Sequence, residues 1–177
     1  MASIEKCGPG DVPEISSIVN EAAEAYRHAI PRDCWKEPYM PLEELRKELL
    51  DGVEFWGLRE GNDLAGVMGL QAVGDVALVR HAYTRTSAQG TGVGTKLIAH
   101  LLSLTDRAVL VGTWKAATWA IRFYERRGFR LVPEMERAAL LRRYWKISER
   151  QLEESVVLSL AAREQIGGNC RRKERDP

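Results

Sequence analysis

Residues His81 to Leu102 read HAYTRTSAQGTGVGTKLIAHLL, and the rest of the chain is organised around them. An extended segment enters a glycine-rich turn, and apolar residues at helical spacing, beginning with Val93 and Leu97, follow at once. Glycines lack a Cβ, so their backbone can turn tightly and let a ligand approach the N–H groups. The first turn of a helix adds unpaired N–H donors and a positive dipole. The stretch therefore predicts a strand, a turn and a helix that together bind a phosphate group.

The spacing of the glycines disfavours two common phosphate loops. A Walker A loop places lysine directly after glycine, whereas the lysine here follows Gly94 by two positions. The run Gly90-Thr-Gly92-Val-Gly94 also differs from the dinucleotide-binding pattern. Gln89-x-x-Gly92-x-Gly94 resembles instead the pyrophosphate loop of the GNAT superfamily of acyl-CoA-dependent N-acyltransferases. Residues 120–129, AIRFYERRGF, resemble the second hallmark of that family, Ala-x-x-x-Tyr-x-x-x-Gly-Phe.

Composition indicates an ordinary globular enzyme-sized chain. The 177 residues are 45% hydrophobic and 29% charged, and the net charge of +1 implies no general attraction to nucleic acid or membrane. Cys7, Cys34 and Cys170 are few and scattered, which favours reduced thiols over a disulfide framework or a metal site. No apolar run is long enough to span a bilayer, and no signal peptide is recognisable. We therefore expect a cytoplasmic protein without a metal, nucleic-acid or membrane partner.

The pattern along the chain predicts an α/β (α+β) fold. Residues 53–84 form three alternating segments separated by turns, which indicates an antiparallel meander. The apolar run 108–112 is typical of a strand buried on both faces. The resemblance implies a mixed, mostly antiparallel central sheet of about seven strands, flanked by helices and splayed at the strand pair that binds CoA.

No repeat or linker divides the sequence. We expect one domain over residues 1–162, followed by a polar and mobile tail over 163–177. Two pairs have the spacing of a capping box at the start of a helix: Asp11 with Glu14, and Ser148 with Gln151.

The resemblance also implies which residues hold acetyl-CoA. The loop that would bind its pyrophosphate consists of Gln89, Gly90, Thr91, Gly92, Val93, Gly94 and Thr95. The strand before the loop would offer free backbone groups to pantetheine at Ala82, Tyr83 and Thr84. Members of the family often carry Asn where this chain has Ala117. Trp119 is a candidate to cover pantetheine or adenine, although an indole at the start of an amphipathic helix is equally a candidate for the core.

Acyl transfer to an amine needs a proton donor for the thiolate and an acceptor for the amine proton. The resemblance gives Tyr124 the role of acid, and a phenol with an ordinary pKa of about 10 can serve. Its place on the apolar face of a helix leaves a packing role open. His81 is the first candidate for the base because imidazole titrates near neutrality. Glu54 is the second candidate, and ordered water is a third route.

The acceptor site is the part that the sequence defines least. The proline-broken segment 31–41 carries Trp35 and Tyr39, which are either packing anchors or a recognition surface. Glu37 and Glu54 are candidates to bind a cationic amine, and Arg80 is a candidate to bind a carboxylate. The sequence does not choose among them.

The function that follows is N-acetylation of a primary amine by acetyl-CoA, through direct attack in a ternary complex. The family prior favours a small-molecule amine. Two alternatives stay open: a protein N-terminus or lysine as acceptor, and a non-catalytic module that binds acyl-CoA. A homodimer is the default assembly for such a domain.

Overall fold

A seven-stranded mixed sheet organises residues 2–163, the part of the chain that this computed structural model describes. Its strands are β1 (Ala2–Lys6), β2 (Glu54–Glu60), β3 (Asp63–Val73), β4 (Val76–Thr84), β5 (Ala108–Trp114), β6 (Arg130–Leu131) and β7 (Ser155–Leu160). They lie in the order β1-β2-β3-β4-β5-β7-β6, and among these strands β4 and β5 alone run parallel. The predicted sheet, including the antiparallel meander, is confirmed.

Helices cover both faces of the sheet. They are α1 (Val12–Ala23), α2 (Leu42–Leu50), α3 (Val93–Ser103), α4 (Thr118–Glu125), α5 (Glu134–Tyr144) and α6 (Glu149–Glu153). Alternation along β4 shows how the layers divide, because Ala77 and Val79 pack with residues of α3, whereas Val76 and Leu78 pack with residues of α5 and α6. In residues 2–163, none of these helices has the length and apolar character needed to cross a membrane.

The sheet opens between β4 and β5. Their pairing covers only Val76–Val79 against Ala108–Val111, while β4 continues to Thr84 and β5 to Trp114. A bulge accompanies the opening, since the register between β3 and β4 shifts next to Met68 and His81 takes a left-handed φ of 50°. The predicted splay of this strand pair is therefore confirmed. It leaves the β5-facing edge of residues 80–84 without a neighbouring strand.

Only one of the two predicted capping boxes forms. The Ser148 hydroxyl accepts from the Gln151 N–H at 3.2 Å, and the Ser148 N–H donates to the Gln151 side chain at 3.0 Å. Asp11 does directly precede α1 as predicted, but its side chain makes no capping hydrogen bond, so the predicted capping box with Glu14 is wrong. The Asp11 carboxylate accepts instead from the N–H of Gly8 and from Arg59, both at 2.8 Å.

Glu14, the other half of that predicted box, ties the sheet to the entrance of the glycine loop. It accepts from the Leu64 N–H at 2.8 Å and from Arg85 at 3.0 Å. Glu21, two turns further along α1, accepts from the Thr86 N–H at 2.8 Å. That backbone hydrogen bond holds the pKa of Glu21 below its ordinary value. Two carboxylates of α1 thus fix the chain where β4 ends.

An insert of two helices, α5 and α6, separates β6 from β7. The buried Arg137 guanidinium fastens it, because Arg137 binds Glu134 on its own helix, the Leu152 carbonyl, and the Ser155 carbonyl at 2.9 Å. The insert is thereby held against one face of the sheet. The predicted mobile tail, apart from its first residue, lies outside the described residues, and the single domain over 1–162 stays a prediction.

Candidate active site

The opening between β4 and β5 leads into a cleft with two adjoining halves. The loop half, about 550 Å³, is bounded by the glycine loop and α4. The insert half, about 410 Å³, is bounded by the ends of β4 and β5 and by the helical insert. Four residues line both halves and mark their junction: Tyr26, Ala82, Tyr83 and Tyr124. A ligand in one half can therefore meet a ligand in the other.

The glycine loop presents backbone donors to the loop half. Gly92 precedes α3 with a left-handed φ of 88°, a conformation that glycine adopts without the cost of a Cβ clash. The first backbone hydrogen bond into the helix runs from the Lys96 N–H to the Gly92 carbonyl at 3.0 Å. The N–H groups of residues 93–95 lie in the turn before that bond, where a helix supplies no carbonyl. They suit an anion.

Close packing of α3 on α4 fixes the loop. A Cβ at Gly94 would lie 3.2 Å from the Phe123 ring, which is tighter than ordinary contact. Arg127 reinforces this junction, since its guanidinium lies 3.6 Å above the Phe123 ring and donates to the Thr95 hydroxyl. Burial, followed by the charge of Arg126, lowers the pKa of Arg127. Both arginines line the loop half and add positive charge to it.

The sequence analysis did not identify Arg126 and Arg127 as cofactor residues. It lies inside the second motif, between Tyr124 and Gly128, where the motif leaves residue identity free. Two adjacent basic residues directly after α4 were the available signal.

Most of the predicted cofactor residues line the loop half. They are Ala82, Tyr83, Thr84, Gln89, Gly90, Gly92, Val93, Gly94, Thr95, Trp119 and Tyr124. Thr91 lies apart from them, and its hydroxyl donates to the Ala88 carbonyl at 2.7 Å. Trp119 is 45% exposed and its ring centroid lies 5.2 Å from that of Tyr26, so it borders the cleft and is not a core residue. Ala117 is fully buried and offers no polar group in place of the family's amide.

Tyr124 occupies the junction of the two halves. It is 5% exposed, and its ring packs edge-on against Phe123 and Phe129, with centroids 5.0 and 5.5 Å away. Burial raises the pKa of Tyr124, the nearby Tyr26 raises it further, and the charge of Arg127 opposes both. The phenol is therefore protonated at neutral pH and can donate a hydrogen bond or a proton. Tyr124 therefore both packs in the core and lines the cleft.

A polar cluster lies on the other side of the junction. Glu48 of α2 accepts from Arg80 at 2.8 Å and contacts His81 Nε2 at 3.1 Å. Burial alone would raise the pKa of Glu48, but the hydrogen bond and charge of His81, together with Arg80, outweigh it and lower that pKa. Glu48 can therefore orient the His81 ring. No motif pointed to Glu48, since it meets His81 only through the fold.

A comparison with known protein families identifies the family of this chain. Residues 16–141, well over half of the chain, match the family model described as an acetyltransferase (GNAT) domain. The chain belongs to the GNAT acetyltransferase family. It is therefore an acyltransferase domain. No curated protein matches the sequence at a significant level.

Solved GNAT structures share the fold at low sequence identity. The paia N-acetyltransferase of Thermoplasma acidophilum, in complex with coenzyme A, is 13% identical with a TM-score of 0.69, over 92% of this chain and 99% of that one. The ribosomal-protein-S18-alanine N-acetyltransferase of Escherichia coli is 17% identical with a TM-score of 0.67, over 96% and 98%. The N-acetylglutamate synthase of Neisseria gonorrhoeae, with coenzyme A and L-arginine, is 18% identical with a TM-score of 0.59, over 93% and 34%.

The loop half of this GNAT domain fits coenzyme A. The amides that begin α3 and the guanidinium groups of Arg126 and Arg127 suit a pyrophosphate. The unpaired edge of residues 80–84 offers backbone groups to the amides of pantetheine. The exposed ring of Trp119 lies beside both. These residues would hold the donor with its thioester at Tyr124.

The predicted acceptor and base residues divide between the cleft and its surroundings. Tyr39, Arg80 and His81 line the insert half. Trp35 is not in that lining, because its ring packs behind Tyr39 at 5.5 Å. Glu54 lies outside the lining of both halves and pairs with a lysine of β1 at 2.7 Å on an exposed part of β2.

Glu37 also lies outside the lining of both halves. Its carboxylate is exposed and pairs with Arg27 at 2.9 Å. Arg27 in turn lies 4.6 Å from the centre of the Trp35 ring. Segment 31–41 is thus anchored through Arg27 and Trp35, while Tyr39 reaches the cleft.

Proposed function

We propose that this GNAT domain transfers an acetyl group from acetyl-CoA to a primary amine by direct attack, with both substrates bound at once. The observation that carries the proposal is the junction at Tyr83 and Tyr124. A thioester held in the loop half and an amine held in the insert half would meet there, without a covalent intermediate on the protein.

Three groups of the chain each have a role in the reaction. A backbone N–H at residues 82–84 polarises the carbonyl, as the unpaired edge of β4 allows. His81, oriented by Glu48, takes the proton that the amine loses, directly or through water. The nitrogen bonds to the carbonyl carbon, the carbon–sulfur bond breaks, and Tyr124 gives its proton to the departing sulfur. The tyrosine then regains a proton from solvent.

We place a small-molecule amine first among the acceptors, because the insert half is bounded on several sides and measures about 410 Å³. A protein N-terminus or lysine is the second candidate. The similarity to an S18-alanine N-acetyltransferase favours it, as far as a shared fold can. A non-catalytic acyl-CoA-binding module is disfavoured, since binding alone would need neither Tyr124 nor the His81–Glu48 pair beside the junction.

Thermal unfolding with acetyl-CoA or CoA, and with ATP and NAD as controls, tests the proposal. A ligand that binds the folded state stabilises it by about 2.7 kcal/mol at a hundred times its Kd. We expect a clear shift with both CoA ligands and none with the controls. Thiol release should then appear when a suitable amine is added. Absence of a shift at millimolar CoA would sink the proposal, whereas a shift without thiol release for any amine class would favour the binding module.

Location and assembly complete the proposal. We infer a cytoplasmic location and a homodimer, to be checked by cell fractionation and by light scattering of the purified protein. Burial raises the pKa of the Cys7 thiol to about 12, so this thiol stays neutral and unreactive, which suits a reducing compartment. Recovery in an oxidising compartment would contradict the location, and a monomeric mass would contradict the dimer.

A further inference from the structure

The insert half has one apolar wall that is fixed in place. Trp114 ends β5, Leu141 comes from α5, and Trp145 and Ile147 follow that helix. The Trp145 indole packs directly on β5, because a Cβ at Gly112 would lie only 3.3 Å from it. This contact holds the ring just beyond the point where β5 leaves β4. The wall is therefore a flat apolar surface that a ligand would meet without prior rearrangement.

Tyrosine rings form the facing side. The Tyr83 ring lies 6.0 Å from that of Tyr26 and 6.3 Å from that of Tyr39, in edge-on arrangements. All three line the insert half next to Tyr124. A ligand there would contact the tyrosine rings beside the junction. Such a site suits an apolar, ring-sized body.

Among the described residues, the lining of this half holds more cations than carboxylates: Lys36, Arg80 and Lys146 against Glu44 and Glu48. Lys146 pairs with Asp51, which lies outside this lining, at 3.7 Å. Within residues 2–163, its lining contains two carboxylates, and each one holds a cation. Glu48 binds Arg80 and His81, at 2.8 and 3.1 Å, and Glu44 binds Lys36. A second ammonium group on the acceptor would meet this excess of positive charge and would have to share a carboxylate that already binds a cation, which is unfavourable.

We infer that the acceptor is a primary amine carried by an apolar, ring-sized body with no second cationic group. The body would lie between the Trp145 wall and the tyrosine rings, and the amine would reach the junction. The inference rests on the proposed function and names its substrate class. Two sources share this chemistry: a free arylalkylamine, and a peptide whose first residue is aromatic.

An acceptor panel tests the inference on the full chain. Thiol release from acetyl-CoA would be measured with tryptamine, phenylethylamine and phenylalanylglycine amide, against 1,5-diaminopentane and spermidine. We expect kcat/KM for the best aromatic amine to exceed that for either polyamine by about tenfold or more. The dipeptide arm decides between the two sources. Equal or better turnover of a polyamine would overturn the inference while leaving acetyl transfer intact.

Binding separates the remaining outcomes. Binding of each amine would be followed by isothermal titration calorimetry in the presence of CoA. If CoA stabilises the protein but no aromatic amine binds or reacts at millimolar concentration, the inference is wrong and the proposed cofactor stands. If CoA does not stabilise the protein, the proposed function and the inference fall together.

Two variants examine the wall and the charge pairing separately. Trp145→Ala should raise KM for tryptamine by about tenfold and leave KM for acetyl-CoA unchanged, with Trp145→Phe restoring most of the loss. Lys36→Ala frees the carboxylate that Lys36 now holds, so it should improve diaminopentane relative to tryptamine by about threefold or more. Lys47→Ala, an exposed change on α2 outside the cleft, is the control. An unchanged amine preference in both cleft variants would contradict the inference.

Discussion

Replacing Tyr124 by Phe removes one hydroxyl and leaves the ring in place. The ring is 5% exposed and packs against Phe123 and Phe129, contacts that phenylalanine keeps. We therefore expect the free energy of unfolding to change by less than about 1 kcal/mol. The cofactor groups at the glycine loop and at Arg127 are untouched, so CoA affinity should also persist.

Turnover should fall much more. A positioned general acid contributes a factor of about 10² to 10⁴, which corresponds to about 2.7 to 5.4 kcal/mol of barrier. Burial raises the pKa of Tyr124 above its ordinary value, so the proton donor persists as the pH rises through the ordinary tyrosine pKa of about 10. The wild-type kcat should accordingly show no loss attributable to this group between about pH 7 and pH 10.

The assay is thiol release at saturating acetyl-CoA and amine, with CoA binding followed by thermal unfolding. Tyr144→Phe is the matched control, since its exposed hydroxyl donates to Asp75 at 2.6 Å outside the junction. A variant at position 124 that keeps kcat within about twofold would refute the role of this phenol as acid. Loss of CoA binding without a separate loss of kcat would show instead that the hydroxyl serves the cofactor.

Three further results are expected. Gly92→Ala should lose about 1 to 2 kcal/mol of unfolding free energy in urea because its φ is 88°, whereas Gly10→Ala, with open space and no left-handed φ, should lose less. Arg137→Met should lower the free energy of unfolding by about 1 to 3 kcal/mol for each carbonyl left unpaired. Arg143→Met, an exposed change, should lower it by about 0.5 kcal/mol or less, and equal losses in the two variants would contradict the anchoring role of Arg137. The lowered pKa of Glu48 means that its stabilisation is present above the ordinary pKa of about 4.3 and is lost as pH falls through the folded value. As the pH falls from about 5 to about 3, the free energy of unfolding should therefore fall less for Glu48→Gln than for the wild type. Parallel pH profiles of the two proteins would contradict the stabilising role of the Glu48 carboxylate.

Short sequence patterns predicted those parts of the fold that depend on only a few neighbouring residues. The glycine loop needs a left-handed residue directly before a helix, and Gly92 supplies it within the quoted stretch. Alternation in residues 53–84 fixed which side of each strand is buried, and hence the meander. The Ser148 capping box formed as predicted for the same reason, since both of its partners belong to one turn.

Patterns of the same kind failed where distant groups compete for the same atoms. Asp11 and Glu14 have capping-box spacing, but Arg59 and the Leu64 N–H, which lie 48 and 50 residues away, take their carboxylates. The candidate base shows a similar limit. The sequence ranked His81 before Glu54 but placed neither in space. Packing puts His81 in the cleft and leaves Glu54 on an exposed strand.

The splayed strand pair and the acid role of Tyr124 came from the resemblance to the GNAT family, whereas the residues alone predict the antiparallel meander, the anion loop and the apolar helix face that carries Tyr124. These depend on hydrogen bonds and side-chain periodicity within single elements. Only the tertiary structure decided that Glu48 binds His81, that Arg127 braces the loop, and that Trp145 forms a wall of the insert half. Each of these contacts joins residues about 30 positions apart. Their proximity depends on how the strands and the helical insert pack, which no local spacing encodes.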